Sequence, residues 1–411
     1  MKNNSYQSRN NSRGRKPFGY KRSNNNQGRS GGGGNRRGKY IDPQKFINKA
    51  VTVQEHVAYV PKHMFADFGF IAELNKTLDV RGYTTPTQVQ DRAIPEVMQG
   101  HDVIALANTG TGKTAAFVLP IIQLLKTQVD RPRGAAVLIM APTRELAQQI
   151  DEEFKAFARG LQLYSAICVG GVNIQHQIRE LARHPQVIIG TPGRLKDLSN
   201  QGKLDFRNTE ILVLDEADRM LDMGFLPDIR FLLNLLPTKR QSLCFSATIT
   251  PEIERLMDTM LNNPVTVSVR TAETSEHIEQ DIIPFATPAD KYDMLEKILA
   301  QPDFSKVLVF GETKWGVQKL ADSLTQKGLR SEAIHGNKSQ PQRQRALRAF
   351  ANGNVEILVA TDVAARGLDI PNVTHVINFD QPASYEDYIH RIGRTGRAGN
   401  HGNALTFVQQ R

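Results

Sequence analysis

Short runs of apolar residues, each followed by a longer amphipathic segment, recur along most of this chain. The first series consists of "DVIALA" (102–107), "AAVLIMAP" (135–142), "LYSAICVGG" (163–171), "QVIIGTP" (186–192), "ILVLD" (211–215) and "SLCFSAT" (242–248). Runs this uniformly apolar are typical of strands whose two faces are both covered by helices. The pattern therefore predicts a parallel α/β domain over residues 64–268.

A second series of the same kind follows an interruption. The stretch "VTVSVRTAETSEHIEQ" (265–280) is polar and suits a linker, which we place at residues 269–278. The later runs are "KVLVFGET" (306–313), "SEAIHG" (331–336), "VEILVATD" (355–362), "HVINFD" (375–380) and "ALTFVQQ" (404–410). They predict a second parallel-sheet domain over residues 279–411, so the expected fold class is α/β with two tandem domains.

The N-terminal segment has a different composition. Residues 1–40 hold eleven Lys or Arg and no acid, whereas residues 41–411 hold 41 basic and 42 acidic residues, so the net charge of +10 lies in the tail. The tail is rich in Asn, Ser and Gly and poor in apolar residues, which predicts disorder over residues 1–50. Arg and Gly interspersed with aromatic residues suit single-stranded nucleic acid. A tail that only improves solubility would have the same composition.

The rest of the composition excludes several classes of protein. No run of about 18 apolar residues is present to span a membrane, and the basic N-terminus lacks the apolar centre of a secretory signal. Cys168 and Cys244 are too few for a disulfide framework. We therefore expect a cytoplasmic protein without a membrane partner.

The segment "ANTGTGKT" (107–114), directly after the first apolar run, has the spacing of a phosphate-binding loop, with Ala107 where the first glycine often stands. Gly110 and Gly112 allow backbone N–H groups to converge on phosphate oxygens. Lys113 would neutralise the β- and γ-phosphates, and Thr114 would offer its hydroxyl to Mg²⁺. The helix that follows presents its positive end to the same anion. The predicted loop comprises Ala107, Asn108, Thr109, Gly110, Thr111, Gly112, Lys113 and Thr114.

Three acids, Asp215, Glu216 and Asp218, follow the apolar run at 211–214. Taken alone, an acidic strand end is commonly a solvated loop. A phosphate-binding loop, however, needs a partner strand whose terminal Asp holds Mg²⁺, which predicts that role for Asp215, through water. Glu216 is placed to orient or deprotonate an attacking water. A divalent cation between the acids and a triphosphate would let them lie close together.

"DEAD" (215–218) together with "ANTGTGKT" resembles the DEAD-box ATP-dependent RNA helicases of superfamily 2, in particular their compact bacterial members. The resemblance runs from Phe65 to about Val408. Its other segments, in the expected order, are "PTREL" (142–146), "GG" (170–171), "TPGR" (191–194), "SAT" (246–248), "ATDVAARGLD" (360–369) and "HRIGRTGR" (390–397). It implies that both domains are RecA-like, that ATP and Mg²⁺ are the cofactors, and that RNA is the partner.

In "GYTTPTQVQ" (82–90), the side-chain amide of Gln90 carries a donor and an acceptor and can pair with the N6/N7 edge of adenine. A surface glutamine usually has no such role, but the resemblance assigns it to Gln90. The resemblance also implies that Phe65 packs near the base and that Thr87 supports the loop. It implies that Asp369 contacts the ribose.

Arg391, Arg394 and Arg397 recur at three-residue intervals and would share one face of a helix. By itself this pattern is equally compatible with a solvated basic face or a network of ion pairs. The resemblance instead makes Arg394 and Arg397 arginine fingers that reach the γ-phosphate from the second domain. It also implies that His390 contacts the acidic segment of the first domain.

The resemblance implies two further groups of residues. Contacts to the RNA sugar–phosphate backbone are expected from Thr143, Arg144, Gly171, Thr191, Pro192, Gly193, Arg194, Gly336, Gln340, Arg343, Thr361 and Asp362. Ser246, Ala247 and Thr248 are expected to link hydrolysis to strand separation.

The resulting functional expectation is an RNA-stimulated ATPase that locally unwinds short RNA duplexes or remodels ribonucleoproteins, with ribosome-assembly particles among its candidate partners. An ATP-dependent RNA clamp or assembly scaffold with little strand displacement is the alternative. A DNA translocase is less well supported, because "DEAD" and "PTQVQ" indicate the RNA group.

Overall fold

The computed structural model describes residue 1 and residues 41–48, 59–108, 110–127, 134–269, 278–365, 372–396 and 401–410. The basic tail up to residue 40 and most of the predicted linker lie outside these residues. No helix within the described ranges is long and apolar enough to cross a membrane.

The first domain is built on a seven-stranded sheet whose neighbouring strands are all parallel, in the order β3-β4-β2-β5-β6-β1-β7. The strands are β1 (Val103–Leu106), β2 (Val137–Met140), β3 (Ser165–Cys168), β4 (Val187–Gly190), β5 (Ile211–Asp215), β6 (Gln241–Ser246) and β7 (Val265–Ser268). All residues of β2, β4 and β5 are buried. This two-sided burial explains why their sequences do not alternate.

Helices cover both faces of this sheet and form two apolar layers with it. They are α1 (Ala72–Val80), α2 (Gln88–Met98), α3 (Lys113–Thr127), α4 (Arg144–Phe157), α5 (Ile174–Leu181), α6 (Pro192–Asn200), α7 (Ala217–Asp222), α8 (Leu226–Leu233) and α9 (Pro251–Met260). Phe117 of α3 and Phe154 of α4 lie in one layer, and Leu195 of α6 and Met220 of α7 lie in the other.

The second domain contains a six-stranded parallel sheet in the order β10-β11-β9-β12-β13-β8. Its strands are β8 (Ile278–Phe285), β9 (Val307–Phe310), β10 (Ser331–Ile334), β11 (Ile357–Ala360), β12 (His375–Asn378) and β13 (Gly402–Gln409). Its helices are α10 (Pro288–Leu299), α11 (Lys314–Gln326), α12 (Gln340–Ala351), α13 (Asp362–Ala365) and α14 (Tyr385–Ile392). The predicted class, two tandem parallel-sheet domains, is confirmed.

The interpretation of residues 265–280 as one polar interruption is wrong at both ends. Strand β7 begins at Val265, which pairs with Val103 of β1, and β8 begins at Ile278, which pairs with Gly402 of β13. Both strands lie at sheet edges, where polar side chains on the solvent side are normal and dilute the apolar signal.

The prediction of disorder up to residue 50 is wrong for Ile41–Asn48. A 3₁₀ turn, Pro43–Phe46, is capped by Asp42, whose carboxylate accepts a 3.0 Å bond from the Gln44 N–H. The Phe46 side chain is fully buried, 4.7 Å from the Tyr388 ring between centroids. Asn48 exchanges two backbone hydrogen bonds, 3.0 and 2.8 Å, with Gln280 of the edge strand β8. This segment therefore belongs to the core of the second domain.

Candidate active site and nucleic-acid interface

A cleft of about 500 Å³ lies beside the phosphate-binding loop; we call it the nucleotide cleft. The predicted residues that line it are Gln90, Gly110, Gly112, Lys113, Thr114, Asp215 and Glu216. The sequence interpretation missed Arg81, Tyr83, Ala115, Leu146, Gln149, Glu152 and Glu153, which line it as well. All of these residues belong to the first domain.

The loop geometry depends on two glycines. Gly110 and Gly112 have φ values of 85° and 86°, in the left-handed region that glycine adopts without strain. The Ala107 N–H donates to the Ser246 carbonyl, 3.0 Å, and the Thr111 hydroxyl donates to the Asn108 carbonyl, 2.8 Å. Helix α3 starts directly after this turn, so its N-terminus points into the cleft region. Thr109 lies outside the described residues.

Lys113 and Asp215 are buried, with exposed fractions of 6% and 2%. Lys113 Nζ and Asp215 Oδ1 have no hydrogen-bond partner among the described residues. Burial raises the pKa of Asp215 to about 7, although the nearby Lys113 charge acts in the opposite direction. Since buried charged atoms without partners are costly, this pair fits a polyanion and its accompanying cation.

The described residues contain no group of three or more His, Cys, Asp or Glu side chains that could hold a metal on its own. Mg²⁺ does not need one, because it commonly binds through one or two carboxylates together with substrate phosphates. Asp215 and the Thr114 hydroxyl, which both line the cleft, could contribute oxygen ligands to such a shared site.

Glu216 has a protein partner of its own. Its backbone is left-handed, with φ 52° and ψ 54°, and its Oε2 accepts a 2.7 Å bond from Nη1 of Arg219. Both side chains are at most 4% exposed. The sequence interpretation missed Arg219, whose only signal was its three-residue spacing from Glu216.

Asp218 is held by backbone N–H groups. Its Oδ2 accepts bonds of 3.0 Å from the Ala247 and Thr248 N–H groups, and its Oδ1 accepts from the Arg219 N–H. Burial raises the pKa of Asp218, but the Lys113 and Arg219 charges and these hydrogen bonds outweigh it, so the pKa is lowered. The sequence interpretation held that one cation keeps all three acids together. For Glu216 and Asp218 the structure instead provides partners within the protein.

The same bonds connect the acidic segment to "SAT". The Thr248 hydroxyl donates to Asp218 Oδ2, 3.2 Å, and the buried Ser246 hydroxyl donates to the Thr248 carbonyl, 2.8 Å. Ala247 contributes its N–H to the same carboxylate. A displacement of Asp218 would therefore be transmitted directly to the end of β6.

Gln90 fastens helix α2 to the phosphate-binding loop. Its Oε1 accepts from the Thr87 N–H, 2.9 Å, and its Nε2 donates to the Gly112 carbonyl, 3.1 Å. A Cβ atom at Gly112 would lie 2.5 Å from that Nε2, so a side chain there would displace the Gln90 amide as well as strain the backbone at φ 86°. Phe65 is buried away from the cleft and packs edge-on against Tyr83, 5.7 Å, which does line it.

The arginines of "HRIGRTGR" that the structure describes are buried. Arg391 is 3% exposed and pairs with Asp362, and Arg394 is 4% exposed and donates from Nε to the His390 carbonyl, 3.2 Å. Arg397 and Asp369 lie outside the described residues. The described lining of the nucleotide cleft includes no second-domain residue, so the catalytic roles of His390 and Arg394 stay predictions.

A second cleft, of about 470 Å³, is lined by residues of both domains; we call it the interdomain cleft. The predicted RNA-contacting residues that line it are Thr143, Arg144, Thr191, Gly193, Arg194, Gly336 and Arg343. Pro142, Glu145, Gly170 and Val363, which lie in "PTREL", "GG" and "ATDVAARGLD" but had no individual role assigned, also line it, and Met223 and Phe225 were missed. The other predicted contacts, Gly171, Pro192, Gln340, Thr361 and Asp362, do not line it.

The "GG" turn positions two of these arginines. The Arg144 guanidinium lies so close to Gly170 and Gly171 that a side chain on Gly171 would overlap it. Arg194 Nη1 donates to the Val172 carbonyl, 3.3 Å, directly after the turn. Burial lowers the pKa of Arg144, and the charges of Arg343 and Arg194 lower it further against the opposing effect of Glu145. The cleft therefore concentrates positive charge.

Glu145 bridges the two domains. Its carboxylate accepts from Gln340 Nε2, 3.1 Å, and pairs with Arg343 Nη2, 3.0 Å. Arg343 Nε and Gln340 Oε1 stay buried without a partner among the described residues. The hydrogen-bonding capacity of both side chains is thus only partly used at this contact between the domains.

A phosphate-binding loop, an acidic strand end and a basic cleft between two parallel-sheet domains define a RecA-like nucleoside-triphosphatase that acts on a polyanion. The model of the DEAD/DEAH box helicase domain matches residues 87–256, and that of the helicase conserved C-terminal domain matches residues 290–399. The chain belongs to the family of DEAD-box ATP-dependent RNA helicases.

Curated relatives and solved structures are consistent with this assignment. The chain is 44% identical to DEAD-box ATP-dependent RNA helicase CshA of Geobacillus kaustophilus, over 84% of this chain and 74% of the relative. It is 43% identical to CshA of Limosilactobacillus reuteri, over 84% and 69%. Dbp5 of S. cerevisiae bound to RNA and ADP BeF3 covers 84% of this chain and 90% of its own, with a TM-score of 0.75 and 31% identity. A truncated Mss116p bound to ssRNA and AMP-PNP covers 84% and 74%, with a TM-score of 0.77 and 31% identity.

Proposed function

We propose that this helicase hydrolyses ATP in the nucleotide cleft under the control of RNA held in the interdomain cleft, and that the cycle separates short RNA duplexes locally. The observation that carries the proposal is the pair of unpartnered buried atoms, Lys113 Nζ and Asp215 Oδ1, in a cleft also lined by Gln90. The ligands of the similar Dbp5 and Mss116p structures, RNA with ADP BeF3 and ssRNA with AMP-PNP, support it.

In this proposal Lys113 binds the β- and γ-phosphates, and backbone N–H groups of the loop surround them. Thr114 and Asp215 hold Mg²⁺, Asp215 through water. Bound Mg²⁺ neutralises charge on the β- and γ-phosphate oxygens. Glu216, kept in place by Arg219, orients the attacking water and accepts its proton.

Adenine recognition would use the hydrogen-bonding capacity of Gln90 that its contacts within the protein leave over. Its amide now bonds the Thr87 N–H and the Gly112 carbonyl, and the edge of adenine offers a matching donor and acceptor. Tyr83 also lines the cleft and packs against Phe65, so in this proposal it is the aromatic side chain that contacts the base. The second N–H of Nε2 and the second lone pair of Oε1 can pair with adenine while both protein contacts are kept.

The second domain supplies charge to the transition state. Arg394 and Arg397 act as arginine fingers, a contribution worth roughly 10³ to 10⁵ in rate. His390 contacts the acidic segment, and Asp369 contacts the ribose. Because these residues belong to the second domain, hydrolysis depends on how the two domains are arranged. ATP favours the arrangement that grips RNA, and hydrolysis releases it.

RNA is bound mainly through its sugar–phosphate backbone, so little sequence preference is expected. Arg144, Arg194 and Arg343 provide the charge, and turns such as "GG" and "TPGR" provide N–H groups. Ribonucleoprotein particles, including assembling ribosomes, are the proposed cytoplasmic substrates. The basic tail adds affinity without adding specificity.

The decisive test compares ATP hydrolysis by the full-length protein with and without single-stranded RNA, followed by displacement assays on RNA and DNA duplexes of equal length. We expect hydrolysis to rise with RNA and displacement to be confined to RNA duplexes. An ATPase rate that is independent of RNA would contradict the proposal. If RNA is retained in an ATP-dependent way but no strand is displaced, the protein is an RNA clamp and not an unwinding enzyme.

A further inference from the structure

Trp315, the only tryptophan of the chain, is largely exposed in the described fold. It is the second residue of helix α11, and 74% of it is exposed to solvent. Large aromatic side chains usually bury most of their surface, because each has 150–250 Å² to remove from water, roughly. An indole left this exposed is available to a ligand.

One lysine lies over the indole, and a second precedes it in the sequence. Lys319, one helical turn further along α11, places Nζ 5.2 Å from the centre of the Trp315 ring. Lys314 precedes Trp315 directly. Neither lysine forms an ion pair with any residue that the structure describes. The surface therefore combines an exposed aromatic face with uncompensated positive charge.

This surface continues into the interdomain cleft. A Cβ atom on Gly336, which lines the cleft, would lie 3.3 Å from Lys314 Cε and 3.5 Å from Nζ. Gln318 Oε1 and His335 Nε2 are 3.0 Å apart, so the start of α11 is joined to the same turn. Burial lowers the pKa of His335, and the charges of Lys338, Lys314 and Arg343 lower it further. Positive charge thus extends from Arg343 in the cleft to Lys314 beside Trp315.

We propose that Trp315 is a stacking platform for a base of the single strand that the interdomain cleft holds, with Lys314 and Lys319 binding the flanking phosphates. Stacking on an aromatic face tolerates every base, and lysines at its edge suit the phosphates between successive bases. A protein partner is a poorer fit, because the centres of protein interfaces are depleted of lysine. The assignment rests on the proposed binding of RNA in the cleft.

Because the chain has one tryptophan, its own fluorescence reports on this site. The full-length protein is titrated with single-stranded RNA oligonucleotides, and tryptophan emission is followed in parallel with the anisotropy of labelled RNA. We expect emission to be quenched with the same midpoint as the anisotropy change. Trp315→Ala should weaken RNA binding roughly 10-fold, a typical loss for one stacked base, and Trp315→Tyr should retain most of the affinity.

Tyr164→Ala is the matched control, since Tyr164 is also exposed, at 63%, but precedes strand β3 at the opposite end of the sheet from the cleft. It should leave RNA affinity unchanged. Unchanged tryptophan emission on RNA binding, or parental RNA affinity in Trp315→Ala, would overturn the stacking assignment. If RNA still stimulates ATP hydrolysis in that case, the proposed function stands. Absence of RNA stimulation in the parent protein would remove the proposed function itself.

Discussion

The guanidinium of Arg391 and the carboxylate of Asp362 form a bidentate ion pair, with Nε–Oδ1 at 2.6 Å and Nη2–Oδ2 at 2.7 Å. Arg391 Nη1 also donates to Asn378 Oδ1, 3.2 Å, and to the Asp380 carbonyl, 2.6 Å. Helix α14, which carries His390, is thereby joined to the segment that follows β11 and to the end of β12. A side-chain contact between Asp362 and RNA, which stays a prediction, would have to compete with this pair.

Arg391→Lys should therefore be far from conservative. A lysine ammonium cannot reproduce the planar fork that satisfies Asp362, Asn378 and the Asp380 carbonyl together. The buried Asn378 Oδ1 would lose its donor, at a cost of about 1–3 kcal/mol, so we expect the second domain to unfold at a lower urea concentration. Arg207→Lys is the matched control, because the Arg207–Asp205 pair is largely exposed and should contribute little. Equal unfolding midpoints for Arg391→Lys and the parent protein would contradict this expectation.

Glu216→Gln should abolish turnover and preserve binding. The glutamine oxygen can still accept from Arg219 Nη1, so the local fold is kept while the basic carboxylate is lost. We expect the rate of phosphate release to fall by about 10² to 10⁴, with ATP and RNA dissociation constants close to those of the parent. Glu254→Gln, on the exposed face of α9, is the control for a change of charge alone. Phosphate release near the parental rate would remove Glu216 from the mechanism.

Gln90→Ala should weaken ATP binding and reduce the preference for ATP over GTP. The loss is expected to be about 1–3 kcal/mol, the discrimination typical of a bidentate amide–adenine pair. Gln90→Glu separates the acceptor role of the side chain from its donor role. A carboxylate still accepts from the Thr87 N–H, but it cannot donate to the Gly112 carbonyl or to adenine. Dissociation constants for ATP and GTP, measured without RNA, check both variants. Equal affinity of the parent for the two nucleotides would exclude adenine reading by Gln90.

The sequence was most informative where one local pattern determines the structure. Fully apolar runs such as Val137–Met140 predict central parallel strands, because burial on both faces leaves no alternation. The edge strands that begin at Val265 and Ile278 do not meet this criterion, because exposed residues such as Thr266 and Glu279 interrupt their buried positions. Phe46 escaped it too, since a single aromatic in a polar segment gives no periodicity, yet its contact with Tyr388 fixes the segment.

The functional sites differ in the same way, between residues set by a local pattern and residues set by tertiary contacts. The phosphate-binding loop is contiguous, so Lys113 and its glycines could be predicted from spacing. Arg219 and Glu145 could not, because their partners are determined by tertiary placement: Glu145 meets Arg343 almost 200 residues later. Equal spacing in the sequence also does not mean an equal role. Arg391 forms an ion pair inside the second domain, whereas Arg394 is the residue for which a role at the nucleotide is proposed.

Removal of residues 1–40 should weaken RNA binding and flatten its salt dependence, because the whole positive excess lies there. Each phosphate contact that is lost should reduce the log–log slope by about 0.7 for a single strand. The boundary at residue 40 matters, because Ile41–Asn48 packs on the second domain. We therefore expect the truncation to leave the unfolding midpoint unchanged.

Phe46→Ala in the full-length chain should have the opposite effects to the truncation: lower stability and unchanged salt dependence of RNA binding. Loss of a fully buried phenylalanine should destabilise the second domain by about 3 kcal/mol, while the salt dependence of RNA binding keeps its parental slope because every tail charge is retained. RNA titrations at several salt concentrations and urea unfolding of both variants distinguish the two functions of the N-terminal region. A truncation at residue 40 with the parental slope would reduce the tail to a solubilising segment, since its eleven cations would then contribute no phosphate contact.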